Sequence, residues 1–261
     1  MKNLSDFKNS EIQILFTDID DTLTDAGQLG PKAFKSLWEL SDAGIIVIPV
    51  TGRPAGWCEM IARFWPVKGV IGENGAFYFA YNKGKMKRYF FVSDEKQRTE
   101  NRKKLDQIAN EALKNIPGCS IASDQFCRLF DLAIDYCEDV PPLSPEDVAK
   151  ITAVFKRHGA VSKVSSIHVN GWFGDYDKLT MCKIFLKNEF GIDATTENAH
   201  IAFVGDSPND EPMFGFFENS FGVSNIKTFK DQLKTPPKYV SQGACGIGFQ
   251  EIANKILSLK N

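Results

Sequence analysis

Apolar residues along this chain fall into short continuous runs separated by helically spaced segments. Residues 12–17, Ile-Gln-Ile-Leu-Phe-Thr, form a mostly apolar run that ends in Asp18. A run of that length, with polar groups delivered at its C-terminal end, predicts a buried parallel strand. Pro31 then opens a helical spacing (Ala33, Leu37, Leu40) that Gly44 ends. Residues 45–50, Ile-Ile-Val-Ile-Pro-Val, predict a second buried strand delivering Thr51-Gly52-Arg53. A helix over 56–64 and a third strand over 67–71 follow. Strand and helix alternating in this way predict a parallel sheet wrapped by helices.

The rhythm changes after Gly75. Two apolar-rich runs within 76–92 flank Asn82-Lys83-Gly84, the pattern of a β-hairpin. A polar helix is expected at 94–115, an alternating strand at 128–136, a helix at 145–158 and a strand at 161–169. This block reads as an antiparallel sheet with two helices. From Lys178 the first rhythm returns: a helix over 178–190, a strand over 199–204 ending in Gly205-Asp206, a helix near 211–217, a strand near 220–223 and a last helix at 248–259. The expected fold class is therefore α/β: a discontinuous parallel-sheet core (1–82 and 173–261) with an α+β cap inserted between its halves (83–172).

Composition narrows the function classes. The 261 residues are 43% hydrophobic, enough to bury a substantial core, and 31 basic against 33 acidic side chains leave a net charge of -2. Near-neutrality supplies no global field for nucleic acid or an anionic membrane, so neither is expected as a partner. Lys83, Lys85, Lys87 and Arg88 read as a solvated hairpin face. The first residues, MKNLSDFKNSEIQ, contain no signal-like apolar run, and no segment reaches the roughly 18 apolar residues that span a bilayer. Six scattered cysteines without a CxxC pair suggest packed, reduced thiols. A cytoplasmic location is expected.

Open parallel sheets bind ligands at the C-terminal ends of their strands. Here three such ends carry complementary groups: Asp18-Ile19-Asp20-Asp21-Thr22 supplies carboxylates, Thr51-Gly52-Arg53 supplies hydroxyl and amide donors, and Asp206-Ser207-Pro208-Asn209-Asp210 supplies more carboxylates. Lys178 opens the helix that follows the insert. Carboxylates gathered on several strand ends repel unless a cation sits among them, which implies a hard divalent metal with oxygen ligands; Mg2+ is the expected cofactor. Taken singly, each motif has a bland explanation as a turn, a cap or a surface side chain. Their shared placement after strands, in one chain order, is what argues for a site.

In that order, DIDDT (18–22), TGR (51–53), Lys178 and GDSPND (205–210) resemble the four motifs of the haloacid dehalogenase-like hydrolase superfamily. The cap position between the second and third motifs is similar to the Cof-type branch, which includes sucrose-phosphate phosphatases and lies near the phosphomannomutases. The closing segment GACGIGFQEIANKIL is similar to the ending of that branch. The resemblance implies a Rossmannoid core and a magnesium-dependent phosphatase acting on a small phosphorylated metabolite, a sugar phosphate above all, as a monomer or homodimer. It implies that Asp18 is a nucleophile forming an aspartyl-phosphate and that Asp20 is the general acid and base. Thr51, Gly52, Lys178 and Asn209 would hold the phosphate. Asp18, Asp20 (through its carbonyl) and Asp206 would ligate the metal, with Asp210 orienting that shell.

Two departures bear on the branch. Position 21 is Asp where the Cof-type pattern usually has Gly, and Gly174-Asp175-Tyr176-Asp177-Lys178 is similar to the phosphomannomutase lysine motif. A phosphosugar mutase is thus one alternative, and a non-catalytic phosphate- or magnesium-binding module another. Glu73-Asn74-Gly75 reads equally as a substrate contact through Asn74 or as a turn opening the hairpin. His168 and Asn170 lie where the cap strand returns to the core; Trp57 and Trp65 are expected to pack, and Trp172 is open between packing and a sugar contact.

Overall fold

The computed structural model describes residues 1–165 and 167–260. Its central sheet has six parallel strands, in the spatial order Lys2–Asn3, Tyr239–Val240, Asn219–Gly222, Ile201–Gly205, Ile14–Thr17, Ile46–Pro49. Alternate residues of each strand serve opposite faces. Leu15, Val47, Ala202 and Val204 pack with the helices Pro31–Asp42, Ala55–Phe64 and Cys245–Ser258. Ile14, Phe16, Ile48, Ile201 and Phe203 pack with Lys178–Phe190 and Glu211–Phe216. Burial on both faces explains why these strands read as continuous apolar runs. The first two strands in that order, Lys2–Asn3 and Tyr239–Val240, are two residues long and carry no pattern that sequence reasoning could use.

A parallel bridge from Val50 to Ile71 leads to a three-stranded antiparallel sheet of Val70–Gly72, Phe77–Asn82 and Lys85–Phe90. Beyond it, a four-stranded antiparallel sheet runs in the order Val161–Val164, His168–Trp172, Leu132–Asp135, Ser120–Ile121. Leu132, Ile134 and Val169 face the helices Glu95–Asn115 and Pro145–Arg157 through Leu105, Ile108, Ile151 and Phe155. The intervening positions, among them Asp131, His168 and Asn170, are polar and buried. One face of this layer is thus an apolar core, and the other carries His168 and Asn170 into a cleft against the parallel sheet.

Two expectations are corrected. The run 161–169 is two strands, with Val164 paired to Val169, because Ser165 Oγ accepts from the backbone N–H groups of Ile167 and His168 and turns the chain. The strand expected at 128–136 is confined to Leu132–Asp135. Its first residues leave the ladder because the N–H groups of Leu129, Phe130 and Asp131 donate instead to the Glu73 carboxylate at 2.9, 2.6 and 3.1 Å.

Glu73 is completely buried, and it also accepts from the N–H of Ala55 at 3.0 Å, so one carboxylate ties the start of a core helix to the antiparallel layer. Beside it, Arg128 donates to Asp124, to Asp131 and to the carbonyl of Gly52. Either oxygen of Glu73, replaced by an amide NH2, would face backbone donors with nothing to accept. Glu73→Gln is therefore expected to destabilise the fold by about 3 kcal/mol, the low end for breaking a buried ionic network. Thermal unfolding checks this as a fall in Tm of roughly 6 °C or more.

Candidate active site

The strands Ile14–Thr17, Ile201–Gly205 and Ile46–Pro49 are adjacent, so their C-terminal ends bring Asp18, Asp206 and Thr51 together. Lys178, the first residue of its helix, reaches the same point: Nζ donates to Asp18 Oδ1 at 2.7 Å and to Asp210 Oδ1 at 2.9 Å. Asp177 caps that helix by accepting from the N–H of Thr180, and Tyr176 stacks on Trp172. The residues before Lys178 therefore do local structural work. Gly75, at φ +103°, lets the rim loop pass against this helix start; a Cβ there would lie 2.2 Å from the carbonyl of Asp177. Gly205 makes similar room, since its Cβ would meet Asp210 Oδ2 at 2.4 Å.

Asp18, Asp206 and Asp210 each offer a carboxylate oxygen within 4.8 Å of the other two, and all three residues are buried. Asp210 spends both oxygens locally, one on Lys178 and one on the N–H of Asp206. Asp206 accepts from Thr22 Oγ1 at 3.2 Å and from Asn225 Nδ2 at 3.1 Å, and the same Nδ2 donates to the carbonyl of Asp21. Burial pushes the Asp18 carboxyl up to about 8, lowered by Lys178 and raised further by Asp210 and Asp20. Asp206 is likewise driven well above the carboxylate range by burial and then by Asp18. Burial opposes the charge on Lys178, but Asp18 and Asp210 outweigh it and hold the ammonium protonated. Three buried carboxylates against one lysine form a donor set that fits a hard cation bound through oxygen.

Asp18, Asp20, Gly52, Asn74, Lys178, Asp206 and Asn209 line one cleft of about 430 Å³. Thr51 and Asp210 lie beneath it, fully buried. Thr51 Oγ1 accepts from the N–H of Arg53 at 3.0 Å, which leaves the hydroxyl proton to donate elsewhere. Asn209 accepts from Ser207 Oγ at 2.9 Å. Asn74 sits in the left-handed region at φ 57°, following Glu73 at φ 43°, and its Nδ2 is buried with no hydrogen-bond partner among the described residues. Strain and an unsatisfied buried donor at a cleft point to a ligand contact rather than a plain turn.

The opposite wall comes from residues that the motifs do not name. Arg128, Ser165, Ile167, His168 and Asn170 complete the lining, together with Arg53. Arg53 lies over the Trp57 ring at 4.5 Å; its Nε and Nη2 converge on Asp20 Oδ1, both at 2.9 Å, and Nη1 donates to Glu138 Oε1 at 3.1 Å. Glu138 Oε2 is 2.9 Å from His168 Nε2. Nothing in sequence spacing marks Arg128, Glu138 or Asn225. Trp57 packs under Arg53, Trp65 packs edge-on against Phe34, and Trp172 is buried.

Residues 15–116 match the family described as haloacid dehalogenase-like hydrolase. The chain is similar to a protein named phosphoglycolate phosphatase from Pyrobaculum neutrophilum, 26% identical over 94% of this chain and 96% of the relative. A Thermoplasma acidophilum crystal structure shares the fold with a TM-score of 0.71 and 23% identity, covering 95% of this chain and 99% of that one. The sucrose-phosphatase of Synechocystis, solved with sucrose and phosphate, shares it with a TM-score of 0.63 and 16% identity, covering 94% and 98%. The family match is confined to residues 15–116, while the likeness in fold extends over nearly the whole chain. The family match and the relatives named phosphoglycolate phosphatase support a phosphoric monoester hydrolase. No helix among the described residues is long and apolar enough to cross a membrane.

The wall also sets a pH dependence. The close approach of His168 Nε2, then the charge of Arg53, overcome partial burial and hold the Glu138 carboxyl down to about 2 from 4.5. A carboxyl depressed in the folded state stabilises it above the unfolded pKa and ceases to do so as pH falls through the folded one. The Tm difference between the natural chain and Glu138→Gln is therefore expected to be constant above about pH 5 and to shrink toward about pH 2. Thermal unfolding across that range checks it.

Proposed function

We propose that this protein is a magnesium-dependent phosphatase that hydrolyses a small organic phosphomonoester, a sugar phosphate above all, through an aspartyl-phosphate on Asp18. The observation that carries the reading is the buried cluster of Asp18, Asp206 and Asp210 around Lys178 at the mouth of one cleft. Asp18 attacks phosphorus while Lys178, the Thr51 hydroxyl, the Gly52 amide and Asn209 hold the phosphoryl oxygens. Asp20 protonates the leaving oxygen and then takes a proton from the water that hydrolyses the intermediate. Asp18, Asp206 and the carbonyl of Asp20 would hold Mg2+, with Asp210 steadying that shell, and the ion would supply charge neutralisation for the transferring phosphoryl group. Residues 83–172 act as the cap over the leaving group and exclude water. The protein works in the cytoplasm, with its six cysteines in no disulfide.

The leaving-group wall supports a hydroxyl-rich substrate. Arg53 and Arg128 already pair with carboxylates, so among the described residues the cleft offers uncharged polar groups, the unpartnered Asn74 amide first, rather than a spare cation. A short phosphorylated hydroxy acid is the second reading, favoured by the name of the Pyrobaculum relative.

Phosphate release from a panel of hexose phosphates, pentose phosphates and phosphoglycolate tests the reading. Release is expected to stop on chelation and return with Mg2+, to fall to background in Asp18→Asn, and to drop by about 10²–10⁴-fold in Asp20→Asn. Turnover that survives in Asp18→Asn, or silence on every compound by the folded, magnesium-loaded protein, would contradict it. The order of hexose phosphate and phosphoglycolate decides between the two leaving groups.

A further inference from the structure

One set of charges in the cleft has no part in holding phosphate or metal. Arg53 is almost fully buried, stacked on Trp57 and gripped from two sides. From the core side, Asp20 offers a single oxygen, Oδ1, to both Nε and Nη2. From the antiparallel layer, Glu138 takes Nη1. Glu138 is itself fixed: its N–H donates to Asp135 Oδ1 at 2.8 Å, its Oε2 lies against His168, and Asp135 and His168 are paired across neighbouring strands. A rigid chain thus runs from the antiparallel sheet through Glu138 and Arg53 to Asp20.

A guanidinium prefers to meet a carboxylate with two parallel bonds, one to each oxygen. That arrangement would occupy both oxygens of Asp20 and leave none to transfer a proton. Here the geometry differs: the fork of Nε and Nη2 closes on Oδ1 alone, and Glu138 holds the guanidinium in that orientation from its far side through Nη1. Oδ2 is the oxygen left for the leaving group.

We propose that Glu138, braced by His168, is a positioning residue that acts through Arg53 to keep one oxygen of Asp20 available for proton transfer, so that the acid is assembled only with the cap layer in place. The inference rests on the reading of Asp20 as general acid. It separates Glu138 from a merely structural ion pair, because a structural role would affect all substrates alike.

The test uses leaving groups that need the acid to different degrees. An alkyl phosphate such as a sugar phosphate expels a poor leaving group that must be protonated, whereas p-nitrophenyl phosphate expels a stable phenolate. kcat/KM, which reports the steps through formation of the phosphoenzyme, is measured on both for the natural chain and for Asp20→Asn, Glu138→Gln, Glu138→Asp and Arg53→Lys. Asp20→Asn is expected to lose at least tenfold more on the alkyl than on the aryl ester, within the ~10²–10⁴ range of general acid catalysis. Glu138→Gln and Arg53→Lys are expected to lose about tenfold more on the alkyl ester, with Glu138→Asp recovering part of it. Equal losses on both esters in Glu138→Gln and Arg53→Lys, with Asp20→Asn still discriminating, would overturn the role of Glu138 alone. No discrimination in Asp20→Asn would overturn the general-acid reading and this inference with it. Arg53→Lys keeps the charge and serves as the second variant should Glu138→Gln fold poorly.

Discussion

The ammonium of Lys178 between Asp18 and Asp210 is the interaction on which the site depends. A carboxylate buried at the end of a parallel strand is costly, and a second and third beside it are more so. Placing a protonated lysine among them offsets part of that cost and turns Asp18 into a fixed point. The rest of the local backbone serves this placement. Gly75 lets the rim loop approach the helix start that carries Lys178, Gly205 lets Asp210 fold back on its strand, and Asp177 caps the helix. One lysine does not balance three carboxylates, and the proposed cation-binding and nucleophile roles both draw on that imbalance.

Across the cleft the charges are arranged to the opposite end. Arg128 and Arg53 are desolvated and paired with Asp124, Asp131, Asp20 and Glu138. These guanidiniums work less as anion receptors than as struts. Arg128 holds the carbonyl of Gly52, and Glu73 collects backbone donors from both layers. Both ties join the antiparallel layer to residues 52–55 beside the cleft, so the position of that layer and the geometry of the site are linked through hydrogen bonds. The strained Glu73-Asn74 pair, with its unsatisfied amide, lies where these ties meet the cleft.

Much of this was legible in the sequence because the informative elements were fully buried. Strands covered on both faces, such as Ile14–Thr17 and Ile46–Pro49, leave unbroken apolar runs, and the polar residues that end them are the ones the structure gathers. The two-residue strands Lys2–Asn3 and Tyr239–Val240 left no run to read. Residues 128–131 alternate like a strand, but the N–H groups of Leu129, Phe130 and Asp131 are claimed by Glu73, more than 50 residues away in the chain. Pattern reasoning cannot see such a long-range acceptor. Arg128 and Glu138 were missed for a related reason: their meaning lies in which core residue they face, and no spacing encodes that. Asn74 was left between turn and contact by its sequence, and only its backbone conformation and orphaned amide separate the two.

The central claim is that Asp18 receives the phosphoryl group. Acid quench during turnover, borohydride reduction of the resulting acyl phosphate and peptide mass analysis address it directly. Homoserine at position 18, formed only with substrate and a divalent cation and absent from Asp18→Asn, is the expected result. Steady turnover with no reduced residue at position 18, or with the label on another carboxylate, would contradict the account.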